Sequence, residues 1–308
     1  MTILIWIIQF IFVPVVSPLC IGIIKKIKAK FQNRVGASIF QPYKNLRKLF
    51  HKDEIISKDA SWIFRAAPFI VFTVTIIVGA SIPLFASFLN NILTGDMLIV
   101  IYTLSIGTFF LALAGLDTGS AFGGFGSSRE MTISALAEGG FIFSLLTIAL
   151  VSGTSNLFMI SHNGIVVQGQ LSLPILLALS GFFIVLLAET ARFPFDNPAT
   201  HLELTMIHEA MILEYSGKKL ALMEWASANK LIIFIALGAN LFFPLGLAES
   251  AIPSTIFTGI AIFIIKIFIF CLIITGLESS IAKFRFFRLP DLLLISFILN
   301  IIAIGLIH

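Results

Sequence analysis

This chain has little charge and almost no cysteine. Only 12% of its 308 residues are Asp, Glu, Lys or Arg, 58% are hydrophobic, and the mean hydropathy is +1.05. A soluble domain is excluded, because lipid must cover most of such a surface. The two cysteines, Cys20 and Cys271, lie inside apolar runs, and there is no CxxC pair or Cys/His ligand set. Neither an iron–sulfur cluster nor zinc is expected in this chain, and the cysteines read as small apolar packing residues. The apolar runs do not alternate in ten-residue segments, which excludes an outer-membrane β-barrel. Low-complexity tracts, internal repeats and GxGxxG or GK[ST] motifs are also missing. GLDTGSAFGGFG at 115–126 therefore reads as a tight, buried loop whose glycines permit close backbone approach, not as a phosphate cradle. A net charge of +4 is no nucleic-acid signature; it comes from basic loops that meet anionic headgroups and protein partners.

What the chain does have is long apolar runs. They predict spans at roughly 2–24, 67–90, 97–115, 131–152, 172–190, 230–248, 254–277 and 290–307. Each is long enough to cross about 30 Å of hydrocarbon at 1.5 Å per helical residue. Lys and Arg fall in every second connection, 25–66, 116–130, 191–229 and 278–289; the others hold none. These connections hold eighteen of the twenty basic residues and Lys230 opens the adjoining span at the same end, so nineteen lie on one side; Lys266 alone lies deep inside a span. The positive-inside rule then puts these loops in the cytoplasm and both termini outside. The fold expected is all-α: one polytopic membrane domain over 1–308, with eight transmembrane helices and amphipathic helices on the cytoplasmic side. The first run lacks a basic segment before it and is read as a retained helix, not a cleaved signal.

Two cytoplasmic connections carry structure of their own. In the first, QPYKNLRKLF puts Pro42 in a first helical turn. Tyr43, Leu46, Leu49 and Phe50 then share one face, with Lys44, Arg47 and Lys48 opposite. This is an interfacial helix, held at the headgroups or docking an acidic partner. The other connection reads AETARFPFDNPATHLELTMIHEAMILEYSG. Asn197-Pro198 opens a helix over 198–214, which ends before Ser216-Gly217. His201, Thr205 and His208 lie on one face and Glu203 and Glu214 on the opposite one. Too short and polar to span, too apolar for water, this helix should be buried in protein at membrane depth, with polar groups lining a hydrated cavity. His201 and His208 stand two turns apart, too far for one metal without help; a polar relay and plain hydrogen bonding both fit.

Glu138 falls about two turns into the fourth span and Lys266 near the middle of the seventh. A lysine at a helix centre costs roughly 2.5–3.5 kcal/mol, so such groups normally face the bundle interior and meet a partner. They fit a proton relay or a structural pair that pins two helices. Glu189, Asp196, Glu203, Glu209, Glu214, Glu224 and Glu278 crowd the cytoplasmic side, whereas the outer connections hold only Asp96 and Glu249.

Four segments carry a resemblance over nearly the whole chain. They are NRVGASIFQPYKNLRKLFHKDEI, GLDTGSAFGGFGSSRE with Glu138 nine residues after Arg129, AETARFPFDNPATHLELTMIHEAMILEYSG, and the connection Glu278–Arg288. The chain resembles the family of the first membrane subunit of respiratory complex I. More closely it resembles the counterpart in energy-converting membrane-bound [NiFe] hydrogenases and formate hydrogenlyases. Val35-Gly36-Ala37 follows Arg34 where complex I has Gly-Pro, and the long HLELTMIHEAMILEYSG and GLDTGS side with the hydrogenase branch; these departures speak against quinone binding.

The resemblance implies a non-catalytic membrane anchor of an oxidoreductase complex in the cell (inner) membrane, linking redox chemistry in a peripheral arm to proton or sodium pumping. It would hold no cofactor. A [NiFe] centre and [4Fe-4S] clusters belong to hydrogenase-like large and small partner subunits on the cytoplasmic side, with antiporter-like subunits beside it in the bilayer; nucleic acid has no part. Ion coupling would fall to Glu138, Glu189, Asp196, His201, Glu203, His208, Glu209, Glu214 and Lys266, with Arg34, Arg129 and Arg192 as loop cations. A quinone-chamber component of a complex I-like enzyme is the alternative. An autonomous secondary transporter would need inverted repeats, and no such symmetry is visible.

Overall fold

The computed structural model describes residues 2–57, 60–88, 95–163, 172–197 and 206–307. His201 and Glu203 lie outside the described residues. Eleven α-helices and one 3-10 turn are present among those described: α1 Thr2–Phe31, α2 Gln41–Phe50, α3 Trp62–Ser81, α4 Met97–Asp117, α5 Ala121–Ser152, α6 Leu157–Asn163, α7 Leu173–Glu189, α8 His208–Ile212, α9 Gly217–Leu241, α10 Pro253–Ser280, a turn at Phe286–Arg288, and α11 Leu289–Gly305. No strand occurs among the described residues, only isolated bridges between Ala86 and Ala248 and between Asp96 and Asn156. This is a polytopic all-α membrane protein. Among the described residues seven helices are long and apolar enough to cross a bilayer; α7, over the fifth of the eight expected spans, has 17 residues.

Most boundaries at the basic end differ from the hydropathy reading in one direction. α1 continues through KKIKAK to Phe31, α5 starts ten residues before its apolar run, and α9 starts at Gly217, thirteen residues before Lys230. Hydropathy marks where lipid ends. A helix ends where its backbone hydrogen bonds and packing end, and these continue beyond the lipid. The expected Gly-rich loop is accordingly mostly helix, with only Thr118–Ser120 joining α4 to α5. Its glycines still permit close approach: a Cβ on Gly126 would sit 2.8 Å from Ala210 Cβ and 2.9 Å from the Ile207 carbonyl oxygen. The helix expected over 198–214 is, within the described residues, only α8; Glu214 lies beyond it and is exposed.

α9 is the axis of the bundle, and its residues Leu231–Leu241 are all buried. Around it stand α1, α3, α7 and α10, while α5, α7 and α11 form a second group. In that group small residues let polar side chains reach backbone: Ser296 Oγ donates to the Gly181 carbonyl at 2.8 Å and Asn300 Nδ2 to that of Gly140 at 3.0 Å. Pro14 and Pro18 sit inside α1. Pro18 has no N–H for the carbonyl of Pro14, and Trp225 Nε1 on α9 donates to it instead at 2.8 Å. α2 lies against α1 and α9 with Leu46 buried and Lys44, Arg47 and Lys48 exposed. Phe50 meets Trp225 edge-on, and the Tyr43 hydroxyl donates to the Val15 carbonyl.

Candidate functional site: a polar route through the bundle

The basic end holds ionisable groups fixed by the segment between α7 and α8. Arg192, buried, reaches Glu278 Oε1 at 3.1 Å, and Lys28 of α1 takes Glu278 Oε2 at 2.9 Å. One carboxylate on α10 therefore ties α1 to the 190s segment. Lys28 also stands 4.6 Å from the Phe193 ring centre, just before the cis Phe193-Pro194 bond. Asp196, 3% exposed, pairs with Lys283 at 2.6 Å and accepts the backbone N–H of Ile207 at 3.2 Å and of His208 at 3.0 Å. These bonds hold the start of α8. Tyr215, just past α8, stacks on Phe64 at 4.0 Å and donates to the Phe64 carbonyl at 2.9 Å; burial raises its phenol pKa.

Behind these groups lie three cavities that share walls. The first, about 1140 Å³, is lined at the basic end by Lys25, Arg192, Asp196, His208, Glu209 and Glu224 among others. Thr190, Ala191, His208, Ile212 and Ser227 also line the second, of about 540 Å³, which reaches Glu189 and Lys230. Leu104, Thr108 and Glu189 in turn border the third, about 240 Å³, which contains Ser105 and Glu138. Along this line Lys230 pairs with Glu189 at 2.7 Å and donates to Thr108 Oγ1 at 3.3 Å. Ser105 Oγ donates to Glu138 Oε1 at 2.8 Å. Glu138 itself lies near the middle of α5, not two turns into it, because that helix begins at Ala121.

Two groups at the entrance have shifted pKa values. Burial, helped by the charges of Glu224 and Asp196, pushes Glu209 up to about 7. Burial, with the Lys230 charge adding to it, lowers His208 to about 4, so its imidazole is neutral at physiological pH and both accepts and donates.

Glu138, Glu189, Asp196, His208 and Glu209 thus line three adjoining cavities, and Arg192 lines the first. Arg129 donates to the Met206 carbonyl at 3.2 Å and faces the Phe286 ring, bracing the segment before α8. Arg34 is exposed in the first loop. Lys266 is elsewhere, donating to Asn240 Oδ1 at 3.0 Å and the Phe243 carbonyl at 2.7 Å past the far end of α9. It does not meet Glu138. The sequence reading missed Lys230, counted with the basic loops because it opens the apolar run. It also passed over Glu130, whose carboxylate feels the charges of Lys230, Glu189 and Asp196. Glu130 and Lys230 both lie within long helices, and marking helix ends instead of hydropathy ends would have exposed them. Among the described residues no group of three His, Cys, Asp or Glu side chains is placed to hold a metal ion.

A helical membrane bundle with adjoining carboxylate-lined cavities at its basic end is an integral membrane component. Comparison with known proteins gives it a family. The profile described as NADH dehydrogenase matches residues 3–308. Component C of hydrogenase-4 from Escherichia coli (strain K12) is 31% identical over 295 residues, covering 96% of this chain and 92% of that protein. Formate hydrogenlyase subunit 4 of the same organism is 28% identical over 285 residues, covering 92% of each. The H-type membrane component of NADH-quinone oxidoreductase from Paraburkholderia phymatum (strain DSM 17167 / CIP 108236 / LMG 21445 / STM815) is 28% identical over 265 residues, covering 82% of this chain and 74% of that one. A chain of the membrane-bound sulfane sulfur reductase, an archaeal respiratory membrane complex, shares the fold, with a TM-score of 0.84, 20% identity, and coverage of 100% and 99%. The chain belongs to the NADH dehydrogenase family, which includes that membrane component of NADH-quinone oxidoreductase.

Proposed function

We propose that this chain, a single membrane domain over 1–308, is the membrane-anchor and coupling subunit of an ion-translocating respiratory complex related to energy-converting hydrogenase. Its basic loops face the cytoplasm of the cell membrane, as the Lys and Arg distribution demands. A hydrogenase-like small and large subunit, carrying the [4Fe-4S] clusters and the [NiFe] centre, dock over these loops. Antiporter-like subunits adjoin the bundle within the bilayer. Supporting this reading is a series of adjoining cavities with shared lining residues, from Glu209 and Glu224 at the basic end, past His208 and the Glu189–Lys230 pair, to Glu138 in mid-helix.

Glu209, with a pKa of about 7, exchanges protons readily with the entrance cavity. Neutral His208 relays them between the first two cavities. Redox chemistry in the arm moves or recharges the 190s segment through Arg192 and Asp196. That shifts the balance of Glu189 between Lys230 and a proton, and Glu138 passes the change onward. His201, Glu203 and Glu214 belong to the same acidic segment, and Lys266 to the far-side end of the relay. Replacing Glu138 with Gln in the assembled complex, reconstituted in vesicles, should leave electron transfer in the arm intact and abolish ion uptake. Normal uptake would overturn the relay.

A quinone chamber is the second reading, favoured by the apolar wall of the entrance cavity, Pro18, Ile21, Pro42, Leu46 and Ile212. Its opposite wall, with Lys25, Arg192, Asp196, His208, Glu209 and Glu224, suits water and ions better than an apolar tail. Reduction of added quinone by the purified complex would favour the chamber.

A further inference from the structure

α1 and α10 pack side by side in one register. Phe12 meets Phe263 with ring centres 5.5 Å apart, and Lys28 meets Glu278 at 2.9 Å. In both contacts the partner lies 250 or 251 residues further along the chain. The two helices are therefore parallel, and any α1 residue on this seam finds its partner at that offset. Cys20 stands midway, eight residues beyond Phe12 and eight before Lys28, and the same offset lands on Cys271. Both cysteines are free and both are 0% exposed, so the register sets two buried thiols at one level of the seam.

We propose that Cys20 and Cys271 form a dithiol site that a lipid-soluble two-electron oxidant closes to a disulfide across the α1–α10 seam. The two thiols give up two protons and two electrons as the S–S bond forms; with molecular iodine the other products are two iodide ions. The route to the pair is through lipid, since Ile264, Ile265, Phe268, Ile269, Leu272 and Ile273 leave the outer face of α10 uncovered in this chain. The cross-link would stand two turns from the Glu278 carboxylate that joins Lys28 to Arg192. It would clamp the seam on which that ionic contact depends. Small apolar packing alone would not require two thiols at one level of two helices so distant in sequence.

The test counts thiols in the native complex in its membrane. After iodine treatment, quenching and denaturation, the peptides holding Cys20 and Cys271 should take no maleimide and appear as one linked species. Reduction before alkylation should restore both adducts. A second arm needs no redox chemistry: phenylarsine oxide, which bridges paired thiols, should protect both cysteines in the wild type. It should protect neither remaining cysteine in Cys20→Ser or Cys271→Ser, nearly isosteric changes the core tolerates. Full alkylation of both cysteines after both treatments would overturn the proposal and leave them as packing residues.

Discussion

Replacing Lys230 with Met removes the cation paired with Glu189. The pair is 2.7 Å long and mostly buried, with side chains 17% and 11% exposed. At an effective dielectric of about 20 the mutual attraction is about 6 kcal/mol, largely offset in the wild type by desolvation of both ions. Removing one partner leaves that desolvation unbalanced, a loss of about 3–5 kcal/mol. Adding Glu189→Gln should recover most of the loss, since the leftover charge is then gone. The measurement is unfolding in detergent of wild type, both single variants and the double variant at pH 7. A loss under about 1 kcal/mol for Lys230→Met, or one not recovered in the double variant, would refute the reasoning.

By contrast, Lys28→Met should cost no more than about 1–2 kcal/mol in the same unfolding assay, because Arg192 still holds Glu278. Gly126→Ala should destabilise by about 1–3 kcal/mol, since its Cβ would press on α8, whereas Gly124→Ala, with nothing within 4 Å, should raise stability or leave it unchanged; melting temperatures separate the two. Because Glu209 is raised to about 7, it stabilises the fold below about pH 4.5 and that contribution is lost as pH rises to 7. Glu209→Gln should remove this falling limb from a stability–pH curve. His208, lowered to about 4, has the opposite sign, with stability rising between pH 4 and 6.5, and His208→Gln should flatten that limb.

The sequence made the bilayer-crossing architecture readable because uninterrupted apolar runs and one-sided lysines leave few alternatives. α2 was legible down to the residue: Pro42 in its first turn, Leu46 buried, Lys44, Arg47 and Lys48 outward. Glu138 stood out because a carboxylate inside an apolar run demands a reason. Its neighbours were hidden, since Ser105 and Thr108 are ordinary residues in an apolar helix until α4 is laid against α5. Lys230 and Glu189 lie forty-one residues apart in sequence, and nothing local announces that they meet. Lys266 drew attention for the same reason as Glu138, yet finds its partners on the Asn240–Phe243 corner, because a long side chain reaches polar backbone well away from its own Cα. The Gly-rich stretch was read for the right physics and the wrong shape: close approach is there, but between helices.

Asp196 holds three tethers at once: the amide ends of Ile207 and His208, and the ammonium of Lys283 eighty-seven residues downstream. Whatever displaces that carboxylate therefore strains the lip of the entrance cavity and the connection between the last two membrane helices together.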